Sequence, residues 1–370
     1  MTSTITLDRN EAQPRDAAAA RAQANARIAD DMAMLRTAAE LTRDINTPRP
    51  LIYWTDLLAS AILGYAALAG AILAPSLGWT IAVGIVAVLA LYRALSFIHE
   101  LTHIKHSAVP GFRMGWNLLI GIPMLTPSFM YEGVHNLHHA RTRYGTAEDP
   151  EYLPLALMKP WTLPVFLLVS ILAPVALLFR FAVLAPLSWL SPKLRELVIA
   201  RYSSLSINPS FRRRAPDGEI KTLWRWTEIG AFLWAWALIA LVATGIVPLR
   251  AFVLFLIVAS GVAVLNQVRT LVAHLWENDG EVMTVTAQYL DTVNVPPPAT
   301  LPALWAPVGL RYHALHHLLP GVPYHSLGKA HARISAALEA ASPYHKASYK
   351  GLPGLVDRLV RSTMTVGRAR

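Results

Sequence analysis

The sequence predicts an all-α integral membrane protein, with four transmembrane helices in two hairpins and a helical cap on the cytoplasmic side. Two compositional observations support this fold class. Hydrophobic residues make up 54% of the chain, and only 15% of the residues are charged, whereas an average soluble domain has about 25%. The third observation is that long apolar runs occur in pairs that are separated by very short links. Together these features indicate that much of the surface faces lipid.

The four predicted spans form two pairs. The first pair is 51–74 and 79–98, which are joined by "PSLG", and the second pair is 222–246 and 251–268, which are joined by "VPLR". Each run is close to the roughly 20 apolar residues that a helix needs to cross the hydrocarbon core. Because the links are so short, each pair is predicted to be a helical hairpin.

A fifth apolar stretch, residues 161–190, has two interpretations. Pro164, Pro174 and Pro186 interrupt it, so it is either one more span or a bent pair of helices that lies in the membrane interface. Lys and Arg are concentrated in the tails and in the segment 99–221, and the positive-inside rule places those regions in the cytoplasm. A fifth crossing would put the histidine clusters described below on opposite sides of the membrane. We therefore predict four spans.

Three regions are predicted along the chain. Residues 1–48 form a polar tail and an Ala-rich helix that starts near Asp16, residues 49–330 form the membrane domain, and residues 331–370 form a C-terminal cytoplasmic helical tail. The first 30 residues lack the apolar core of a secretory signal. The net charge of +10 fits contact with anionic lipid headgroups. A nucleic-acid partner is not expected, because the basic residues are scattered.

The histidines are clustered. "HNLHH" (135–139) and "HALHH" (313–317) repeat the pattern His-x-x-His-His, "HELTHIKH" (99–106) begins where the second span ends, and His274 follows the fourth span. Residues at i, i+3 and i+4 share one face of an α-helix. Each cluster can therefore direct two or three imidazoles to one point, at the same edge of the membrane if the chain has four spans.

These spacings predict a metal centre. The candidate ligands are His99, His103, His135, His138, His139, His274, His313, His316 and His317. Nine imidazoles are too many for one ion and suit two. The chain has no cysteine, and zinc usually takes four ligands or fewer, so two irons with open positions for O2 fit better. His106 continues the face of His103 and is either a ligand or a hydrogen-bond partner of one, and we assign it to the second role.

With these residues the sequence resembles the integral-membrane fatty acid desaturases and their hydroxylase relatives, in particular the bacterial acyl-lipid type. That family carries three histidine boxes, which here are "HELTH" (99–103), "HNLHH" (135–139) and "HALHH" (313–317), and an isolated histidine, which His274 matches. The resemblance covers roughly residues 50–330. It implies a four-helix membrane stem, a cytosolic cap, a di-iron centre held by these histidines and an O2-dependent, two-electron oxidation of a lipid chain.

The surroundings of the boxes suggest further roles. Metal-bound histidines usually donate their second ring N–H to a carboxylate or a carbonyl, and Asp149 and Asp291 are the preferred carboxylates, with Arg311 as a candidate anchor for them or for a headgroup. Some relatives carry Asn one turn before the isolated histidine. Here that residue is Thr270, which leaves a water-mediated ligand open. No "HPGG" haem motif occurs, so a separate electron donor is implied, such as a ferredoxin or a cytochrome b5-type protein with its reductase.

The predicted function is desaturation of a long-chain fatty acyl group that is linked to CoA, acyl carrier protein or phospholipid. The alternative, which the boxes do not exclude, is a di-iron hydroxylase or ketolase of an alkane, a sterol or a carotenoid-type lipid. A haem protein or a metal transporter is the third hypothesis, but its polar ligands would lie within the spans. We expect an enzyme of the bacterial inner membrane with its active site on the cytoplasmic side.

Overall fold

The computed structural model describes residues 14–367, and these residues are all-α, as predicted. The α-helices in chain order are α1 (Pro14–Ala26), α2 (Met32–Glu40), α3 (Pro50–Leu73), α4 (Leu77–His103), α5 (Phe112–Trp116), α6 (His135–His138), α7 (Thr162–Leu168), α8 (Ala173–Phe179), α9 (Ala185–Leu190), α10 (Pro192–Tyr202), α11 (Gly218–Ala243), α12 (Leu249–Leu271), α13 (Val285–Asp291), α14 (Pro302–Trp305), α15 (His313–Leu318), α16 (Tyr324–Ala337) and α17 (Leu352–Gly367). Short 3₁₀ and π turns extend several of them. Within residues 14–367, β-pairing is limited to isolated bridges.

The predicted hairpins correspond to α3–α4 and α11–α12, and α12 also packs against α4. The contact between α3 and α4 is close at Gly64, where an added Cβ would lie 2.7 Å from the Leu91 side chain. Helix α4 continues past its predicted end at residue 98 to His103. This extension places the first histidine box on the last turns of a rigid helix and not in a loop.

Residues Thr162–Leu190 form one helical run although three prolines interrupt the sequence, and the run is long enough for the first of the two predicted interpretations, one more span. Pro164 lies in the first turn of α7, and Pro174 and Pro186 lie in the first turns of α8 and α9, where a helix does not need the missing N–H. A 3₁₀ turn and a π turn connect the three segments. The described residues thus contain five helices that are long and apolar enough to cross a membrane: the four predicted spans and this run.

A buried ion pair accommodates the arginine of this run. The guanidinium of Arg180 donates to the carboxylate of Glu228 on α11 and to Ser203 Oγ, at 3.0 Å from the latter. Arg195 also pairs with Glu228, at 2.8 Å. A charge buried in an apolar region is costly unless it is paired and hydrogen-bonded, and these contacts attach the run Thr162–Leu190 to α11.

The segment between α4 and the second histidine box turns back on itself among the long helices. Its backbone carbonyls accept hydrogen bonds from side chains of those helices: Leu119 from Tyr65 at 2.7 Å, and Pro123 from Trp234 at 3.0 Å. Irregular backbone at membrane depth requires such partners because lipid offers none. The segment returns to the same end of the stem, which positions the second box beside the first.

The predicted Ala-rich helix from Asp16 to about Arg43 is two helices, α1 and α2. The chain leaves the helix at residues 27–31, where the Ile28 carbonyl accepts from Thr284 at 2.6 Å and Asp30 accepts from the Thr286 N–H at 3.0 Å. Asp31 then caps α2 through the Met34 N–H. Tertiary hydrogen bonds to the start of α13 therefore override the helical propensity. Residues 1–13 of the predicted tail lie outside the described residues.

Helices α1, α2, α13 and α15–α17 pack together outside the long helices and form the cap. The cap holds the third histidine box through Asn294, which is fully buried. Its side-chain oxygen accepts from the Leu315 N–H at 3.0 Å, and its own N–H donates to the Ala347 carbonyl at 2.8 Å. Helix α15 is thereby fixed between α13 and the segment that follows α16.

Candidate metal centre

Each histidine box lies on a short piece of helix. His99 and His103 are one turn apart at the end of α4. The second box begins α6, with its last histidine as the C-cap of that helix, and the third box begins α15. The isolated His274 lies just beyond α12 and forms a bridge with Thr292.

The structure brings all nine predicted histidines together, in two groups. The first group is His99, His103, His135, His139 and His316, and the second group is His138, His274, His313 and His317. Within each group, one ring nitrogen of every residue lies within 4.8 Å of those of the others. The second box and the third box each contribute histidines to both groups, whereas the first box contributes to the first group alone.

The nitrogen positions fit metal ions. In the first group, His316 Nε2 lies 3.1 Å from the Nε2 atoms of His103 and His139. In the second group, His313 Nε2 lies 3.1 Å from His274 Nε2 and 3.2 Å from His317 Nε2. Two imidazole nitrogens bound at right angles to one ion about 2.1 Å away would be about 3.0 Å apart. The spacing therefore matches two sites with adjacent nitrogen ligands.

His99 supports the same conclusion. The residue is buried, and neither of its ring nitrogens has a hydrogen-bond partner among the described residues. A buried polar atom without a partner costs the free energy of its desolvation. A metal ion in the first group would provide that partner.

Two carboxylates contact the Nδ1 atoms of two of the histidine rings. Both oxygens of Asp149 lie at 2.9–3.0 Å from His138 Nδ1, and Asp149 also accepts from the Gly145 N–H at 2.8 Å. Glu151 Oε1 lies 2.8 Å from His135 Nδ1, and its other oxygen accepts from the Tyr131 hydroxyl at 2.8 Å. Such contacts keep the proton on Nδ1 and leave Nε2 free for a metal.

In the second group, a tyrosine hydroxyl links a histidine to a carboxylate. The Tyr144 hydroxyl lies 2.8 Å from His274 Nδ1 and donates to Asp291 at 2.8 Å. Asp291 also accepts from the Glu277 N–H at 3.3 Å. The predicted carboxylate thus reaches its histidine through a phenol and not directly.

Electrostatics favour neutral rings at most histidines of the two groups. Burial lowers the pKa values of six imidazoles well below the ordinary value of histidine. These are His135, His139, His274, His313, His316 and His317. Neutral imidazole is the form that binds metals. Burial also acts to lower the pKa of His138, but Asp149 outweighs it and the net pKa is raised. Burial raises the pKa of Glu151 and of Asp291 to about 7; nearby cations would stabilise their ionised forms.

Comparison with known proteins agrees with this geometry. Residues 77–349 match the model of the family described as "Fatty acid desaturase", which is more than half of the chain.

The chain belongs to the fatty acid desaturase family.

The predicted resemblance is therefore confirmed, and the protein is an oxidoreductase of this family. It is 50% identical, over 327 residues, to a "Ceramide hydroxylase" of Caulobacter vibrioides (strain NA1000 / CB15N), an alignment that covers 88% of this chain and 93% of that protein. No solved structure matches. The long apolar helices make this family member an integral membrane protein.

Two residues that were predicted to support the metal centre of this desaturase-family chain, His106 and Arg311, do not contact the histidine groups. His106 does not join either group; its Nε2 lies 3.7 Å from Glu132, and its side chain is 42% exposed. A 3₁₀ turn follows α4, so the face that carries His103 does not continue to His106. Arg311 donates to the backbone carbonyls of Val295 and Ala299, at 2.8 Å each, and not to a carboxylate.

Three hydrogen-bonding residues were not predicted, namely Tyr131, Tyr144 and Glu151. Glu151 lies two residues beyond Asp149, and the turn at Gly145 brings both carboxylates back to the box. The signal that could have found Glu151 is its closeness in sequence to Asp149. The two tyrosines carry no periodic signal, because each lies in a turn beside the box.

Proposed function

We propose that this protein is a lipid hydroxylase that inserts oxygen into a C–H bond of a ceramide. The observation that carries the proposal is the 50% identity, over nearly the whole chain, to a ceramide hydroxylase. It favours the hydroxylase alternative over the predicted fatty acyl desaturation, although the substrate class differs from the alkanes, sterols and carotenoids considered from the sequence. Desaturation remains the second candidate because the family model is that of the desaturases.

The nine histidines of the two groups are proposed to hold two iron ions. Irons bound there would supply O2 activation and the two-electron oxidation of a C–H bond. The protein's own residues prepare the site: Asp149, Glu151 and the Tyr144–Asp291 pair keep protons on the outer ring nitrogens. Rings fixed in this way need no rearrangement when metals bind.

Four of the five long helices are proposed to cross the membrane. Each histidine group combines residues that precede Thr162–Leu190 with residues that follow α12. The chain must therefore return to one side between the second box and His274, which requires an even number of crossings. Three long helices lie in that interval, and α11 and α12 are joined by a short loop, so the run Thr162–Leu190 is the one that does not cross completely.

The contacts of Thr162–Leu190 support this topology. The Ile171 carbonyl accepts from Ser260 at 2.8 Å, and Arg180 binds Glu228. Ser260 lies near the middle of α12, and Glu228 lies in the half of α11 nearer the cap. The first part of the run packs against α12 and its later part against α11, which supports a segment that enters the bilayer without spanning it.

The cap is proposed to face the cytoplasm, where a separate ferredoxin or cytochrome b5-type donor would deliver electrons. Arg250 is the one basic residue of the two short links "PSLG" and "VPLR", whereas the segments on the cap side carry many Lys and Arg residues, as the positive-inside rule requires of cytoplasmic regions. Residues 49–330 remain the proposed membrane domain, with 1–48 and 331–370 as its flanking regions.

The mass of the lipid product tests the reaction. Purified protein in ceramide-containing nanodiscs is supplied with O2, a reduced ferredoxin and iron. We expect a ceramide heavier by one oxygen atom. Loss of two hydrogens would instead support desaturation, and an unchanged ceramide in an iron-loaded protein would contradict the proposed substrate.

A matched pair of variants tests the metal centre. His316→Ala removes a buried imidazole that lies 3.1 Å from two others, and we expect it to lose iron and product together. His345→Ala is the control, because that side chain lies outside both groups. Equal iron content in the two variants would argue against His316 as a ligand.

A further inference from the structure

Three oxidisable aromatic side chains surround His274. The ring centroids of Tyr144, Tyr152 and Trp276 lie 5.7, 5.9 and 4.8 Å from that of the imidazole. All three side chains are buried. Tyr144 also lies 5.1 Å from His138 and 5.3 Å from His317, so it contacts three of the four histidines of the second group.

Tyr144 has a proton acceptor already in place. Its hydroxyl donates to Asp291 at 2.8 Å and accepts from His274 Nδ1, also at 2.8 Å. Oxidation of a phenol to its neutral radical releases a proton. A carboxylate within hydrogen-bond distance can take that proton as the electron leaves.

Trp276 is held against the same histidine at a cost in backbone strain. Its φ is +62°, a left-handed conformation that is unfavourable for a bulky side chain. The indole N–H donates to the Leu271 carbonyl at 2.8 Å, and the ring lies 5.1 Å from Tyr152. Strained backbone beside a functional site suggests that the ring position itself is required.

We propose that Tyr144 is an oxidation outlet of the metal centre, that is, a side chain that gives an electron to the centre and is oxidised in place of the histidine ligands. Tyr152 and Trp276 are the next electron donors. If two irons are held there and an oxidised pair meets no substrate C–H bond, the Tyr144 phenol would give up one electron to it and its proton to Asp291. Tyr144 would then be a neutral radical and Asp291 a neutral carboxyl group, and the metals would be reduced by that one electron. Tyr152, whose ring lies 5.4 Å from that of Tyr144, would restore the phenol by giving up one electron, while Asp291 returns its proton to Tyr144 and takes the Tyr152 proton in its place. This outlet spares the histidine ligands, and it rests on the proposed di-iron centre.

Tyr131 supplies a matched control. Its hydroxyl lies 2.9 Å from His135 Nδ1 and donates to Glu151 at 2.8 Å, so it too joins a ligand histidine and a carboxylate, although Glu151 also contacts His135 Nδ1 directly, at 2.8 Å. In residues 14–367 no second tyrosine or tryptophan ring stacks on it. Both Tyr131→Phe and Tyr144→Phe therefore remove a hydrogen bond to a ligand histidine. Only Tyr144→Phe also removes the proposed oxidation outlet.

Electron paramagnetic resonance measures the radical directly. Iron-loaded full-length protein in nanodiscs without ceramide is reduced, mixed with O2 and frozen, and iron per chain is determined on the same sample. We expect a tyrosine radical that narrows when the protein is grown on ring-deuterated tyrosine. Per iron, most of the signal should be lost in Tyr144→Phe and kept in Tyr131→Phe. The absence of a tyrosine radical in the iron-loaded wild type, or an equal signal in Tyr144→Phe, would overturn the proposal.

Peptide mass spectrometry of the wild type covers the case in which Tyr144→Phe does not fold. After repeated turnover without ceramide, oxidised products should accumulate at Tyr144 and Trp276 and not at Tyr289, which is equally buried but lies outside the centre. Added ceramide should suppress them. Oxidation of all three residues to the same extent would contradict the outlet. A protein that binds iron and hydroxylates ceramide without these products would refute this inference alone, whereas a protein without iron would refute the proposed function.

Discussion

The side chains behind the histidines determine how well each ring is oriented. Asp149 is fully buried and uses both oxygens on His138 Nδ1, while the N–H groups of Gly145 and Glu151 donate to the same carboxylate at 2.8 Å. These contacts leave the carboxylate little freedom. A single residue therefore fixes both the tautomer of His138 and the loop that carries Glu151.

Asp149→Asn is expected to weaken iron binding about 10- to 100-fold, because the partner of a ligand histidine loses its negative charge and one acceptor. Iron per chain, measured during titration with a competing chelator, gives the affinity. Glu148→Gln is the control, since that side chain is 70% exposed and makes only a long contact with Arg143, at 3.6 Å. Equal iron retention in the two variants would show that Asp149 does not support the centre.

At the scale of elements, α3 and α4 carry the first box on a closely packed hairpin. The two helices approach closely at Gly64, where an added Cβ would meet two side-chain atoms of Leu91 at 2.7 Å and its backbone nitrogen at 3.1 Å. Rotation of the leucine side chain cannot relieve the backbone contact. The glycine is therefore required by the packing of the two helices.

Gly64→Ala is expected to destabilise the folded protein by about 1–3 kcal/mol, which is typical of overpacking. Gly84→Ala, in α4, is the matched control because nothing lies within 4 Å of its added Cβ; it should be neutral or more stable by up to about 1 kcal/mol. Thermal unfolding of both variants in detergent measures the difference. A midpoint for Gly64→Ala at or above that of Gly84→Ala would mean that the hairpin is looser than the structure indicates.

At the scale of the molecule, the centre joins segments that are far apart in the chain. His103 at the end of α4 and His316 in α15 lie 3.1 Å apart, and both groups need residues from the two sides of the run Thr162–Leu190. Metal binding should therefore couple the stem to the cap. It also constrains the topology, because every box must reach the same face of the membrane.

Labelling of single cysteines tests that topology, since the natural chain contains no cysteine. In spheroplasts, which have lost the outer membrane but keep the inner membrane intact, a membrane-impermeant thiol reagent should label Thr244→Cys, in the loop between α11 and α12. It should reach Ser210→Cys only after lysis, because residue 210 follows the run that we propose does not cross. Labelling of Ser210→Cys in intact spheroplasts would instead place five crossings in the chain.

The all-α class, the apolar hairpins and the nine clustered histidines could be predicted from the amino-acid sequence, because helical spacing and span length are local properties. The division of those histidines into groups of five and four was decided only by the tertiary structure. Spacing at i, i+3 and i+4 places His135, His138 and His139 near one another, but it does not state which partner each ring meets across the cap. The same holds for Glu151 and Tyr144, which reach their histidines through a turn, and for the proline-containing run Thr162–Leu190, whose path depends on the helices that it packs against.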